Sequence, residues 1–509
     1  MMGRRRLRHA GNRAMKTLRQ IYLAACEFGR LMANELRPDI CVIGAGAGGL
    51  WAATAATVFG ARAVLIEKDR MGGERLKKNG GLALHALAAA AKHANASRSG
   101  ARFGIKATRF AVDFAAVQAH VNDVIGAVAP NSTRERIAGL GVHVVEGAAR
   151  FTDEQTVVVG DVTVRARRFV IATGSSPVVP TIAGLQDTPH LTSETVFDLA
   201  EIPRHLIVVG AAAVGLELAQ TFRRLGSDVT VLDAAAPLAS DDPECAAVVL
   251  DALVRDGVKL RTGIEIAKVG RVLAKVKVVL ATSAGAETIE GSHLLIAAGR
   301  RPNVEDLDLD AAGIRTTPRG IIVDGSLRTT NKRVYAVGDV TGGPASAHAA
   351  NHHAGLVIRH ALFRVPFSVD HRAIPSVTYT DPELAQVGLL EQEARVQSGV
   401  IRVLRWPYRE NDRAQVEHAT DGHIKVVTNR AGEILGVTMV GAGAGESITA
   451  WTLAISQKLN IRALAGLVVP YPTYAEVGKR AAMTYFIHGL TMPRTRRIMG
   501  WLRRLGWIA

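Results

Sequence analysis

Gly44, Gly46 and Gly49 follow a short apolar run, Cys41 to Ile43. An alanine-rich stretch then leads into a second apolar run that ends in Glu67. Glycines at that spacing let a backbone approach a pyrophosphate, the following helix start supplies N–H groups and a positive dipole, and a strand-end acid can hold a ribose hydroxyl. One such fingerprint is weak evidence, but this chain repeats it at a constant offset of 166, with Gly210 for Gly44, Gly215 for Gly49, Gly226 for Gly60 and Asp233 for Glu67. A second echo pairs Phe169–Pro177 with Leu294–Pro302, matching Gly174 to Gly299. Two dinucleotides on one chain most simply mean hydride transfer from a nicotinamide to a flavin.

To place these residues, each glycine turn must join a buried strand to a helix, which predicts an α/β protein with two Rossmann-like domains. At 509 residues there is room for three or four domains, and 48% apolar with 21% charged residues is a globular composition. The formal charge of +16 is concentrated at the ends: +7 in residues 1–38 and +5 in residues 493–509, leaving the body nearly neutral. This argues against a nucleic-acid groove. Cys26, Cys41 and Cys245 are too few and scattered for a secreted disulfide framework, which suits a reducing cytoplasm. No apolar run reaches the roughly 18 residues a membrane span needs, so any membrane contact is expected to be peripheral.

Asp69 to Lys92 carries the more specific signal. Together with the two fingerprints, the Leu327–Val340 segment and the Thr380–Gly388 segment, it resembles the flavoprotein disulfide reductases, most of all the mercuric reductase and lipoamide dehydrogenase branch. The likeness runs from about Pro38 to about Ala482. It implies a basic extension (1–38), an FAD-binding domain in two parts (39–185 and 318–366), an NAD-binding domain (186–317), a C-terminal α+β dimerisation domain (367–490) and a basic tail (491–509). The resemblance places FAD against Gly44, Gly46, Gly49, Glu67, Gly73, Gly147, Thr173, Gly174, Ser175, Asp339 and Ala347. It places the nicotinamide nucleotide against Gly210, Gly215, Glu217, Asp233 and Gly299. Asp233 followed by Ala234–Ala236, with no arginine to meet a 2′-phosphate, favours NADH over NADPH.

The chain also departs from the family. Gly72, Gly73 and Leu76 of the disulfide motif remain, but Arg75 stands at the first cysteine, and the second falls on Gly80, or on Gly81 with a one-residue insertion. A thiolate is both nucleophile and electron relay to a disulfide or thiol-bound metal, and neither residue replaces it. The family lysine that pairs with Glu217 falls on Leu84 or His85, so Glu217 is expected to titrate abnormally or to pair with His85. Ala212 replaces the middle glycine of the second fingerprint, and its methyl is expected to weaken nucleotide binding rather than abolish it.

In relatives the dimerisation domain sends a loop into the partner subunit's active site. Here that loop offers Tyr471 and Glu476, with Tyr471 in place of the histidine base. A tyrosine near pKa 10 is a poor base at neutral pH but a useful hydrogen-bond donor, with aromatic packing as its other reading. His348, His352 and His353 lack acid or cysteine partners in the sequence, and no metal is expected. The expected activity is an FAD-dependent NADH oxidoreductase that delivers electrons to a small-molecule, non-thiol acceptor such as a quinone, a dye or oxygen. The alternatives are a flavin-bound scaffold without turnover and, by overall resemblance only, a mercuric reductase or dihydrolipoyl dehydrogenase.

Both ends leave alternatives open. Residues 1–38 read as an organellar address, a basic surface helix, a frayed extension, or an artefact of a start placed upstream of Met32. In the tail, Ile498, Trp501, Leu502 and Leu505 recur at helical spacing opposite Arg496, Arg503 and Arg504. That stripe suits either an anionic lipid interface or the protein's own body.

Overall fold

The computed structural model describes residues 34–73, 81–106, 110–273, 275–282, 285–490 and 493–504. Arg75, Leu76 and Gly80, and with them most of the altered disulfide motif, lie outside the described residues, as do Leu505 and Cys26. The described chain separates into two compact units. One comprises residues up to 73, 130–175 and 302–369; the other comprises 74–129, 176–301 and 370 onward.

The first unit is built on a five-stranded parallel sheet, ordered Val334–Ala336, Arg168–Ile171, Ile40–Ile43, Ala63–Glu67, His143–Glu146. Ile40–Ile43 and Ala63–Glu67 are buried along their whole length, which is why they read as unbroken apolar runs rather than alternating ones. Between them runs the helix Ala47–Val58, whose small side chains let the helix Ala347–Phe363 pack closely: a Cβ on Gly48 would lie 3.0 Å from the Ala350 carbonyl oxygen.

The second unit repeats that plan. Its parallel sheet is ordered Leu191–Thr192, His293–Ile296, His205–Val209, Asp228–Asp233, Lys259–Thr262, and the helix Ala213–Leu225 follows the glycine turn. The echo between Phe169–Pro177 and Leu294–Pro302 is thereby explained: both segments contain the strand beside the central one, Arg168–Ile171 pairing with Ile40–Ile43 and His293–Ile296 with His205–Val209. A five-stranded antiparallel sheet, Ser376–Thr378, Glu383–Gly388, Ile434–Gly441, His423–Asn429 and Ile401–Pro407, forms the C-terminal part of this unit. Ile448, Trp451, Val477 and Ala481 bring two helices onto its core.

The helices Gly81–Ser99 and Phe114–Val128 group with the second unit. The reason is packing: Ala83, Leu84 and Leu87 share one apolar core with Leu216, Leu218 and Phe222 of the helix Ala213–Leu225. Burying the leucine and phenylalanine side chains of this core is worth roughly 1.5–3 kcal/mol each.

Candidate functional site

In each fingerprint, the first and third glycines are demanded by the fold itself. A Cβ on Gly44 would lie 2.5 Å from the Ala172 carbonyl oxygen, and one on Gly49 only 1.8 Å from the Gly44 carbonyl oxygen. The second copy matches: 2.3 Å from the Ala297 oxygen at Gly210, and 2.1 Å from the Gly210 oxygen at Gly215. Both first glycines also sit at positive φ, +100° and +115°, where a side chain is strained. The middle position differs, because among the described residues a Cβ on Gly46 would have nothing nearer than the Ala172 oxygen at 4.0 Å. That space is a cradle the protein leaves open, and a dinucleotide is the group whose backbone approach it fits.

Gly46 and Ala212 are the N-caps of the two helices, at nearly the same conformation (φ −70°, ψ −172° and φ −81°, ψ 176°), so Ala212 carries no backbone strain. Neither helix start has a side-chain cap or an acid in its first turn. The helices Phe114–Val128, Pro243–Arg255 and Ala347–Phe363, by contrast, are capped by Asp113, Asp242 and Ser346. Uncapped N–H groups at a glycine turn are ready donors for phosphate oxygens.

The strand-end acids do more than the sequence indicates. Glu67 Oε2 accepts from the Ala45 N–H at 2.5 Å and Oε1 from the Asp69 N–H at 2.9 Å. Asp233 repeats this with the Ala211 N–H at 2.6 Å and the Ala235 N–H at 2.8 Å. Each carboxylate therefore braces its glycine turn.

The remaining FAD candidates converge within the first unit. Ser175 Oγ donates to Asp339 Oδ2 at 2.7 Å, and Thr173 is tied to Asn303 by two hydrogen bonds, Thr173 Oγ1 to the Asn303 carbonyl and Asn303 Nδ2 to the Thr173 carbonyl. Gly73 closes on the cradle, since a Cβ there would lie 2.6 Å from Gly46 Cα. Gly147 follows the strand beside Glu67, and its N–H donates to the Glu67 carbonyl; a Cβ there would meet Val159 Cγ1 at 2.6 Å, a packing demand as well as a proximity. Ala347 opens its helix behind Ser346, while His348 pairs with Ser346 Oγ and His353 Nδ1 accepts from the Gly338 N–H. Asn303 was not singled out from the sequence, and its place two residues after Arg301 gives no local signal.

In the second unit, Glu217 lies in the helix Ala213–Leu225, 6% exposed, with Oε1 accepting from the Tyr379 N–H at 2.7 Å. Burial pushes its pKa up to about 7 against that single opposing hydrogen bond. The His85 ring meets the Tyr379 ring edge-on, with centroids 4.6 Å apart. Solvent reaches the His85 side chain, yet surrounding protein desolvates the ring enough to lower its pKa. Glu217 thus titrates abnormally, as expected, but the alternative pairing with His85 is not what the structure shows: the carboxylate meets the Tyr379 backbone N–H, whereas the His85 ring meets the Tyr379 side chain. Two residues missed in the sequence complete this arrangement: Gln220 and Arg224, three and seven positions after Glu217, bind Asp381 through its backbone and its carboxylate at 2.7–2.9 Å. One helix face thereby straps down the loop Tyr379–Asp381.

Gly299, expected against the nucleotide, has open space where a Cβ would stand, and its carbonyl accepts from the Val178 N–H. Tyr471 is 71% exposed, and its hydroxyl donates to Asp412 Oδ2 at 2.8 Å, which holds its pKa above the ordinary tyrosine value. Glu476 opens the helix Glu476–Leu490 with Arg480 at 3.9 Å. Cys41 and Cys245 are fully buried in separate cores, and desolvation pushes both thiols far above the usual range. A cavity of about 740 Å³ lined by Arg37, Arg62, Arg165, Arg167 and Arg333 lies where the chain enters strands of the first unit, the edge away from the glycine turn. No helix among the described residues is long and apolar enough to cross a membrane.

Residues 38–354 match the family described as pyridine nucleotide-disulphide oxidoreductase, and residues 374–482 match its dimerisation domain. Mercuric reductase of Streptomyces lividans is 36% identical over 456 residues, covering 88% of this chain and 96% of the relative. Dihydrolipoyl dehydrogenase of Geobacillus stearothermophilus is 32% identical over 455 residues, covering 88% and 96%. Among solved structures, LpdA of Mycobacterium tuberculosis superposes with a TM-score of 0.80 at 26% identity, covering 88% of this chain and 99% of that one. The Cu(II) complex of the HOCl-induced flavoprotein disulfide reductase RclA of Escherichia coli gives 0.79 at 25%, with the same coverage. With both nucleotide-binding and dimerisation portions matched, the chain belongs to the pyridine nucleotide-disulphide oxidoreductase family of FAD-dependent NAD(P)H oxidoreductases.

Proposed function

We propose that the protein oxidises NADH through FAD and passes the electrons directly to a non-thiol acceptor, a quinone, a dye or oxygen. The observation that carries this reading is two fold-supported dinucleotide turns in a chain whose disulfide-motif positions hold Arg75 and Gly80 or Gly81, and whose described cysteines are buried. FAD, when bound, supplies a flavin ring that accepts a hydride and releases electrons singly or in pairs. The chain's own part is to hold and exclude: the Gly44–Gly49 turn and the uncapped helix start bind the pyrophosphate, and Glu67 and Asp233 fix their turns while facing a ribose. Ser175, Asp339, Thr173 and Asn303 lock the adjoining loop. Glu217 keeps a proton in a desolvated place near neutral pH, and Asp233 favours NADH over NADPH. Tyr471 and Glu476 stand in a homodimer as groups offered to the partner subunit's site, and the cysteine usage suits the cytoplasm.

Anaerobic absorbance titration with NADH, then NADPH, tests the reading. Bleaching of the flavin by NADH, without a thiolate-to-flavin long-wavelength band, is the expected result. A flavin that stays oxidised favours the second reading, a flavin-bound scaffold, for which Ala212 is the specific observation. Dihydrolipoamide oxidation and Hg(II) reduction are expected to be negligible, and robust turnover of either refutes the non-thiol acceptor. Arg75→Cys alone is expected to restore neither, because the relay needs two thiols.

A further inference from the structure

We infer that the helix Pro493–Arg504 is a docking element for an anionic lipid bilayer. At 100° per residue, Ile498, Met499, Trp501 and Leu502 fall within about 160° of arc, and Arg496, Arg497, Arg503 and Arg504 fill about 120° of the opposite side. Ile498, Met499 and Trp501 are 58%, 42% and 62% exposed, so the described protein does not cover this face. The four arginines are exposed as well. From Pro493 to Ala509 the sequence contains five arginines and no acid.

Charge decides the occupant. A second copy of the same helix packed apolar arc to apolar arc would leave the arginines on the outer sides of the pair and bring no carboxylate to any of them. An anionic headgroup layer meets every one of those cations while the acyl boundary takes the apolar arc. Trp501 has the amphipathic ring that settles at such an interface, and arginine side chains reach outward from it to the phosphates. A twelve-residue helix cannot span a bilayer, so the contact lies in the interface plane. This inference stands whatever the electron acceptor is.

The test uses the FAD-loaded full chain and sucrose-loaded vesicles, either of equal phosphatidylglycerol and phosphatidylcholine or of phosphatidylcholine alone. The protein is expected to sediment with the first and not the second, and added salt is expected to release it. Arg503→Gln together with Arg504→Gln is expected to lower the partition coefficient about thirtyfold, from the worth of a basic residue near an anionic surface. Ile498→Ser with Trp501→Ser removes what remains. The flavin spectrum and sedimentation velocity confirm that each variant folds and assembles as the parent does. Three results overturn the inference: no binding to phosphatidylglycerol vesicles at low salt, binding that the arginine variant leaves unchanged, or a change in assembly state on replacing Trp501 in the absence of lipid.

Discussion

Glu217→Gln isolates the most perturbed carboxyl in the candidate site. Glutamine keeps the carbonyl oxygen that accepts from the Tyr379 N–H at 2.7 Å, and it is neutral at every pH. In the folded protein burial raises the glutamate to about 7, whereas in the unfolded chain it returns to the ordinary value near 4.5. Below about pH 4.5 both states hold the proton and the carboxyl is neutral to stability relative to glutamine. Between 4.5 and 7 only the folded state holds it, so stability falls as pH rises, and above 7 the full cost is present. Two and a half pKa units correspond to roughly 3 kcal/mol. The variant is therefore expected to lie within about 1 kcal/mol of the parent at pH 5 and to exceed it at pH 8 by roughly 3 kcal/mol, several degrees in melting temperature.

Thermal melts of the FAD-loaded protein at pH 5, 6, 7 and 8, followed by circular dichroism, measure the difference. Because only one side chain changes, all other titrations cancel between the two curves. A difference that stays constant from pH 5 to pH 8 refutes the reasoning, for it means that Glu217 does not change protonation in that window. The same titration belongs in turnover: a pH inflection near 7 in NADH-dependent flavin reduction is expected in the parent and absent from the variant. An infrared band of a protonated carboxyl, present at pH 6 and missing in Glu217→Gln, identifies the group directly.

Gly46→Ala is expected to fold and to bind FAD about ten- to a hundredfold more weakly, because its added methyl meets ligand and not protein; Gly49→Ala, with 1.8 Å to the Gly44 oxygen, is expected to yield no folded flavoprotein. Far-ultraviolet dichroism and flavin retention separate the two outcomes. Ala212→Gly, the reverse change in the second turn, is expected to tighten NADH about tenfold with little effect on melting temperature, read by equilibrium titration. Lys425, 5% exposed, binds Asp242 at 2.7 Å and Glu391 at 2.8 Å with Glu244 at 3.4 Å, joining the nucleotide-binding part of the second unit to its antiparallel sheet. Lys425→Met leaves those carboxylates facing one another and is expected to cost about 3–5 kcal/mol, measured as a lowered melting temperature.

What the sequence displays and what it hides follow from the range of the interactions. The glycine turns, the buried strands and the strand-end acids lie within thirty residues of one another, so spacing alone exposes them. The ties that hold the site together do not: Thr173 meets Asn303 across 130 positions, Arg224 meets Asp381 across 157, and Glu217 meets Tyr379 across 162. No local pattern announces such pairs. The same limit hides what the helix Gly81–Ser99 packs against, since its apolar face shows that something covers it and not which helix does.

The doubling supplies an internal control that bears on function. The two turns share the strained first glycine, the crowded third glycine, the uncapped helix start and an acid that accepts two N–H groups. The glycines and the acid are needed to fold the turn, whatever occupies it, and the uncapped helix start is what the turn offers an occupant. They differ at the middle position, the fingerprint glycine whose Cβ space touches no atom of the described residues closer than 4.0 Å in the first copy. A substitution confined to that position changes what the turn can hold without changing how it is made. The second turn is thus a complete piece of protein structure with a narrower mouth, and NADH affinity, measured against Ala212→Gly, is the quantity that separates a reductase from a scaffold.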